Sequence, residues 1–199
     1  MRQLGVIGPL SRDVVAGSPP RIGGGPWHAA RALRALRHDA VLFAKCGEPD
    51  RLDFQERLAA LGLPLSLAAG DETTAFSFTY DERGARTMQV DVVGEPFRRD
   101  DVAEGLLRRV EWLQVAPLLR GDFDGDLLEW LARGRRLLLD GQGLVRARRT
   151  GPLVLDPDFD RSLLRHVAVL KLAEEEAEAI GDVASLGVPE IIVTAGPAG

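Results

Sequence analysis

The sequence predicts an α/β protein built on a mostly parallel sheet. Short apolar runs of strand length alternate with helical patterns along most of the chain. Three consecutive glycines, Gly23, Gly24 and Gly25, open one of these helices, and a β-rich segment interrupts the alternation between residues 74 and 92. Because ligands of open α/β sheets bind outside the carboxyl ends of the strands, the early glycine cluster indicates where a site would lie.

Each predicted element follows from its local pattern. Apolar runs bounded by turn residues predict the strands, and apolar residues at helical spacing predict the helices. The connections between parallel strands should be right-handed crossovers. The predicted strands cover residues 4–8, 41–44, 112–115, 137–140, 167–170 and 191–194. The predicted helices cover residues 27–36, 50–61, 100–110, 124–133 and 174–180.

The glycine cluster is suited to a close ligand approach, since no Cβ stands in the way. Pro26 follows it and fits the first turn of a helix, where its missing N–H costs nothing. The Ala- and Leu-rich run after Trp27 is a strong helix former. The segment therefore predicts a helix whose free N–H groups point toward a ligand.

The β-rich interruption predicts a hairpin. Residues 74–80 and 85–92 are its strands, and Asp81-Glu82-Arg83-Gly84 is its turn, with Gly84 at the positive-φ position. A hairpin inserted into an α/β chain would serve as a flap over a site. The plain alternative is an edge hairpin that extends the main sheet.

Composition limits the class of protein. The chain has 199 residues, enough for one domain with a core, and its net charge of −5 argues against a general nucleic-acid binder. The single Cys46 excludes an internal disulfide and fits a reducing compartment. No signal peptide or transmembrane-length apolar run is evident, so we expect a cytoplasmic protein without membrane association. Several arginines are expected to form a solvated basic face, with anion binding as the alternative: Arg133, Arg135, Arg136, Arg146, Arg148 and Arg149.

The spacing around the glycine cluster resembles the first signature of the PfkB (ribokinase-like) family of sugar and nucleoside kinases. The positions in register are Gly24, Gly25, Pro26, Ala30 and Gly47. Two positions depart: His28 stands where the family has Asn, and Arg37 stands where it has Gly or Ser.

Further segments are similar to the family in the same order. Gly8 to Asp13 resembles the opening Gly…Asp motif, and the hairpin resembles the family's lid. Leu170-Lys171-Leu172-Ala173-Glu174-Glu175-Glu176 resembles an Asn-x-x-Glu segment with Ala173 in place of Asn. The other similar segments are Gly47-Glu48-Pro49-Asp50, Asp140-Gly141-Gln142-Gly143-Leu144-Val145-Arg146 and Thr194-Ala195-Gly196-Pro197-Ala198-Gly199.

The resemblance implies a ribokinase-like three-layer α/β/α domain over residues 1–199, with β lid elements at about 9–25 and 73–93. It implies phosphoryl transfer from ATP, with Mg2+, to a hydroxyl of a sugar, polyol or nucleoside, and leaves room for a homodimer formed through the lid. The implied acceptor-binding residues are Asp13, Gly24, Gly25 and His28. The implied nucleotide-side residues are Lys171, Glu176, Thr194 and Gly196, with Glu176 organising Mg2+ through water.

Simpler roles stand beside these assignments. Asp13 also suits a turn, and His28 suits local contacts at a helix start. Trp27 suits ligand stacking or a core contact. Glutamates at a helix start favour the dipole, which alone explains Glu176. Thr194 also suits an ordinary strand exit, and Lys171 suits a surface position at a strand end. Glu48-Pro49-Asp50 is expected to serve only as an N-cap for the helix that begins at Asp50.

The catalytic Asp motif of the family is missing from the sequence. Because the later Gly-Ala-Gly-Asp segment is absent, we expect a C-terminally truncated form of the fold with negligible kinase activity by itself. A degenerate relative that binds a small ligand or a protein partner is the alternative.

Overall fold

The computed structural model describes residues 3–16, 18–80 and 86–196. Its centre is a seven-stranded sheet in which every neighbouring pair of strands is parallel. In spatial order the strands are β12 (Glu190–Thr194), β11 (Val167–Ala173), β9 (Arg136–Asp140), β8 (Val110–Val115), β1 (Gln3–Pro9), β4 (Ala40–Gly47) and β5 (Leu65–Gly70).

Helices cover both faces of this sheet. The longer ones are α1 (Gly25–Ala35), α2 (Arg51–Ala59), α4 (Gly125–Ala132) and α6 (Glu174–Ile180), and the single turns are α3 (Glu104–Leu107) and α5 (Gln142–Val145). Alternate residues of a strand point to opposite faces, and the core divides accordingly. Val6 packs with α1 and α2, whereas the next residue, Ile7, packs with α4. The predicted α/β class with a parallel sheet between helical layers is confirmed.

A second, five-stranded sheet joins distant segments. Its order is β10 (Gly151–Pro152), β7 (Arg86–Val92), β6 (Thr74–Tyr80), β2 (Ser11–Val15) and β3 (Arg21–Gly23). Strands β6 and β7 pair antiparallel, which confirms the predicted hairpin. The alternative that the hairpin extends the main sheet is wrong, because β6 pairs with β2 on its other side. The predicted turn at residues 81–84 lies outside the described residues.

The predicted helix over residues 100–110 is mostly wrong. A 3-10 turn over Arg99–Asp101 is followed by extended backbone at Val102, and α3 forms only one turn before β8 begins. The Asp101 carboxylate explains the break. It accepts the Arg98 N–H at 2.7 Å and pairs with Lys45 Nζ at 2.8 Å, which ties this segment to β4 instead of a continuous helix.

The role expected of Asp50 also changes. The residue precedes α2, but its side chain makes no capping hydrogen bond. Instead its carboxylate pairs with Arg12 of β2 at 2.5 Å. Asp50 therefore links the helical layer to the second sheet.

None of the described helices has both the length and the apolar character of a membrane span.

Candidate functional site

A cleft of about 500 Å3 lies between the carboxyl ends of central strands of the main sheet and one face of the second sheet. Asp140 at the end of β9 marks one side, and Asp13 of β2 marks the other. The cleft also takes Phe76, Phe78 and Met88 from the hairpin. The hairpin therefore contributes apolar walls to a cleft that has carboxylates on opposite sides.

Asp13 is held in place by its neighbours on the second sheet. Ser11 Oγ donates a 2.7 Å hydrogen bond to Asp13 Oδ1, and both residues lie on the same face of β2. Gly23 stands opposite Ser11, and a Cβ there would lie 2.1 Å from Asp13 Oδ2. Burial raises the pKa of Asp13, while the Ser11 bond and His28 act in the other direction. The side chain is thus a positioned acceptor for ligand hydroxyls.

The chain bends at Gly24 and Gly25, and this Gly24–Gly25 bend brings the start of α1 close to Pro9 and Ala116, at the ends of two strands. Gly24 is the N-cap residue of α1 with φ of 93°, and a Cβ there would lie 2.5 Å from the Pro9 carbonyl oxygen. A Cβ on Gly25 would lie 2.2 Å from Ala116 Cβ. Larger residues would push the helix away from the sheet, so the close approach depends on glycine. Gly24 and Gly25 line the cleft, and their N–H groups precede the first hydrogen bond of the helix, in which His28 N–H donates to the Gly24 carbonyl oxygen.

His28 and Trp27 occupy different places on the first turn of α1. His28 is exposed and lines the cleft together with Asp13, Gly24 and Gly25. Trp27 does not line this cleft. Its ring lies under Arg31, whose guanidinium carbon is 5.7 Å from the ring centroid. The structure therefore brings together all four residues that the sequence assigned to acceptor binding.

The opposite wall comes from the Asp140 to Arg146 segment. Asp140, Gln142 and Arg146 all line the cleft. Burial raises the pKa of Asp140, and Lys171, whose Nζ lies 3.7 Å from Asp140 Oδ1, opposes that shift. Lys171 comes from the neighbouring strand β11, in register with Asp140. A carboxylate and two cationic side chains thus meet at this wall.

Glu176 is a buried partner in that wall and does not line the cleft. Its side chain is 2% exposed, and Oε1 lies 3.3 Å from an Arg146 guanidinium nitrogen. Its Oε2 accepts the Ala173 N–H at 2.9 Å, a bond that caps the start of α6. Both carboxylate oxygens therefore have protein donors, and the adjacent Glu174 and Glu175 are exposed.

Thr194 and Gly196 lie farther along the same edge of the sheet. Thr194 ends β12, and its Oγ1 donates to the Leu172 carbonyl oxygen at 3.3 Å. Gly196 has φ of 57°, and a Cβ there would meet nothing within 4 Å. Neither residue lines the 500 Å3 cleft. Lys171 on β11 stands between β12 and Asp140, so it links the two parts of the edge.

The expected solvated arginine face is wrong for Arg146 and Arg148. Their side chains are 15% and 25% exposed, and they pair with the buried carboxylates of Glu176 and Asp122. Arg148 also donates to the Gly94 carbonyl oxygen, which ties the segment after the hairpin to the main body. Composition alone gave no sign of these long-range pairs.

Sequence reasoning also missed the apolar contribution of the hairpin. Phe76 and Phe78 stand two residues apart on β6, and Met88 is the register partner of Phe78 on β7. Residues at such positions share one face of a sheet. This alternation was the available signal that the hairpin presents an apolar face to the cleft.

No preformed metal cage is found among residues 3–16, 18–80 and 86–196, where no three His, Cys, Asp or Glu side chains are grouped to hold an ion. Mg2+ usually takes only one or two carboxylates and completes its shell with phosphates and water. Asp140 opens on the cleft and fits that pattern. The bonded and buried carboxylate of Glu176 fits it only if Arg146 moves away.

No protein-family model and no curated protein matches the chain. Solved structures do. A pyrophosphate-dependent kinase in the ribokinase family, complexed with a pyrophosphate analog and myo-inositol, is 24% identical with a TM-score of 0.79, covering 96% of this chain and 72% of that chain. A sulfate complex of a pyrophosphate-dependent kinase in the ribokinase family is 26% identical with a TM-score of 0.77, over 96% and 73%.

Fructokinase from Vibrio cholerae O395 is more distant. It is 18% identical with a TM-score of 0.69, over 98% of this chain and 75% of that chain. The same architecture is therefore found in pyrophosphate-dependent kinases of the ribokinase family and in a fructokinase. Together with the order of the motifs, these matches establish that the chain has the PfkB-like, ribokinase-like fold.

Proposed function

We propose that this chain forms the acceptor-binding part of a kinase that transfers a phosphoryl group to a hydroxyl of a sugar, polyol or nucleoside. The observation that carries the proposal is one shared cleft at the carboxyl edge of the parallel sheet. Asp13, the Gly24–Gly25 bend and His28 line it from one side, and Asp140 lines it from the other. Catalysis of phosphoryl transfer depends mainly on positioning and on charge stabilisation, which such a cleft supplies.

On the acceptor side, each residue has a distinct task. The Asp13 carboxylate accepts hydrogen bonds from ligand hydroxyls, and the Ser11 bond fixes its orientation. The free N–H groups at the start of α1 donate to ligand oxygens. His28 takes the place of the family's Asn as a side chain that hydrogen-bonds a hydroxyl. The apolar hairpin face covers the ligand and excludes water.

On the donor side, the proposal assigns phosphate contacts to the cationic wall. Lys171 and Arg146 lie beside Asp140, while Thr194 and Gly196 offer a hydroxyl and a backbone N–H on the neighbouring strand end. Bound Mg2+ would neutralise charge on the phosphates, and Asp140 is the described carboxylate best placed to help hold it. Glu176 would act on the ion through water only after release from Arg146.

The proposal includes two candidate phosphoryl donors, ATP and pyrophosphate. The sequence motifs imply ATP, whereas the first two solved structures belong to pyrophosphate-dependent kinases. Both donors share a diphosphate unit that Lys171 and Arg146 would contact. A donor comparison is therefore part of the test.

The test combines binding with turnover. The protein is titrated calorimetrically with sugars, polyols and nucleosides, and in separate titrations with ATP or pyrophosphate in the presence of Mg2+. Product is then assayed with each donor. We expect acceptor binding that is lost in Asp13→Asn and retained in Asp39→Asn, an exposed matched control. Binding that survives Asp13→Asn overturns the acceptor assignment. Negligible turnover by these 199 residues stays a prediction, and robust phosphorylation would contradict it.

The alternative function is a degenerate relative that binds a ligand without catalysis. Three departures from the family's residues favour it: His28 and Ala173 stand where the family has Asn, and Arg37 stands where it has Gly or Ser. The same assays separate the two proposals. If a longer polypeptide that includes a Gly-Ala-Gly-Asp motif binds the acceptor but does not phosphorylate it, the result would favour the alternative.

A further inference from the structure

A second concavity of about 420 Å3 adjoins the acceptor cleft. Asp13, His28 and Phe78 line both cavities, so a ligand held at Asp13 would have room to extend from one into the other. We call this second concavity the arginine basin, because Arg21, Arg31 and Arg57 line it.

The three arginines reach the basin from three separate elements. Arg21 lies on β3 directly opposite Asp13 in the antiparallel ladder, so their side chains share one face. Arg31 lies on α1, three residues after His28 and four after Trp27, on the same side of the helix. Arg57 comes from α2. The fold thus gathers positive charge from distant segments of a chain whose net charge is −5.

Local acidic groups offset only part of this charge. Arg57 pairs with Asp53 through Nε, at 2.9 and 2.8 Å from the two oxygens, which leaves its terminal nitrogens outside that pair. Arg31 is held over the Trp27 ring. In the described part of the chain, no acidic side chain forms an ion pair with Arg21 or Arg31. Of the described residues that line the basin, Asp13 alone carries a carboxylate.

We infer that the acceptor carries an anionic group, a phosphate or a carboxylate, which the arginine basin binds while Asp13 holds a hydroxyl. This inference rests on the proposed function and narrows its substrate class to sugar acids or phosphorylated sugars. Guanidinium groups bind both anions in bidentate fashion, and arginine serves this purpose better than lysine. A neutral sugar would leave the arginines of the basin without a ligand partner.

The first test uses inorganic phosphate as the probe, at constant ionic strength, with the 199-residue protein. Nuclear magnetic resonance follows the Trp27 indole and the Arg31 Nε–H signals. The Arg99–Trp130 pair, whose guanidinium carbon lies 4.8 Å from the ring centroid, is an internal control of the same type elsewhere. We expect saturable shifts at Trp27 and Arg31 only. Equal shifts at both pairs, or no shift at Trp27, overturn the inference.

The second test uses three ligands with one carbon skeleton: D-glucitol, D-gluconate and D-glucitol 6-phosphate. We expect at least one anionic ligand to bind more tightly than glucitol, and its identity distinguishes a carboxylate from a phosphate. Arg21→Gln and Arg31→Gln should each weaken that ligand about tenfold, the effect of losing one charge-assisted hydrogen bond. They should leave glucitol unchanged, and the control Arg99→Gln should change neither.

The outcomes separate this inference from the proposed function. If glucitol binds in an Asp13-dependent way and the arginine variants weaken no ligand selectively, the inference fails and the proposed function stands. If phosphate saturates at Trp27 but no hydroxylated ligand depends on Asp13, the proposed function fails, and the assignment of the basin to an acceptor fails with it.

Discussion

Replacing Glu176 with Gln tests the internal wall of the cleft. The substitution keeps an oxygen that can accept the Ala173 N–H but removes the charge that pairs with Arg146. The two side chains are only 2% and 15% exposed, so the substitution would remove from Arg146 a buried counter-charge that lies 3.3 Å away in a mostly dry environment. Removing one partner of a buried pair costs about 3–5 kcal/mol, and the partial exposure of Arg146 favours the lower value.

Urea denaturation measures this effect. With a slope of about 3 kcal/mol per molar, at the upper end for small proteins, a loss of about 3 kcal/mol lowers the unfolding midpoint by about 1 M. Glu175→Gln is the matched control, because Glu175 lies in the same helical turn and is exposed. It should change stability by no more than about 1 kcal/mol, the value of a dipole interaction. Equal midpoints for the two variants would refute the role of Glu176 as the counter-charge of Arg146.

Three further predictions concern the strand ends and the core. Burial raises the pKa of Asp140 above its ordinary value of 3.8. The folded protein therefore loses stability as the pH rises from 3.8 through the raised pKa of this carboxyl group. Asp140→Asn should therefore be more stable than wild type at neutral pH, with a difference that vanishes below pH 3.8 in thermal unfolding scans. Burial raises the pKa of Cys46 to about 12, so thiol reagents at pH 8 should label it only as fast as the protein opens. Rapid labelling of folded protein would contradict this. Gly23→Ala should abolish acceptor binding by displacing Asp13, whereas Gly105→Ala, which meets nothing within 4 Å, should not.

Local patterns were sufficient for the main sheet. The apolar runs that became β1, β4, β8, β9 and β11 were each predicted, because buried parallel strands are apolar throughout. Strand β12 lies at an edge and is partly exposed, but its Ile-Ile-Val run has the β-branched side chains typical of strands. Strand β5, at the other edge, was missed because its sequence, Leu-Ser-Leu-Ala-Ala-Gly, has no β-branched or aromatic residue. The short α3 was over-predicted because its limits depend on the Lys45–Asp101 pair, which joins residues 56 apart in the sequence.

The site was predictable only where the backbone itself forms it. The glycines of the bend are required by a positive φ and by close approach, and glycine shows this requirement in the sequence. The pairing of Arg146 with Glu176 depends on side chains 30 residues apart. Composition cannot show such a contact, because an arginine looks the same in the sequence whether it is solvated or buried against a carboxylate.

The central claim is that the cleft at Asp13 holds a hydroxylated acceptor. A crystal structure of the protein with the tightest ligand from the acceptor panel tests it most directly. The account predicts a ligand hydroxyl within about 2.5–3.0 Å of the Asp13 carboxylate, with the ligand against the Gly24–Gly25 bend and under the hairpin. A ligand bound elsewhere, with Asp13 still engaged only by Ser11, would contradict it.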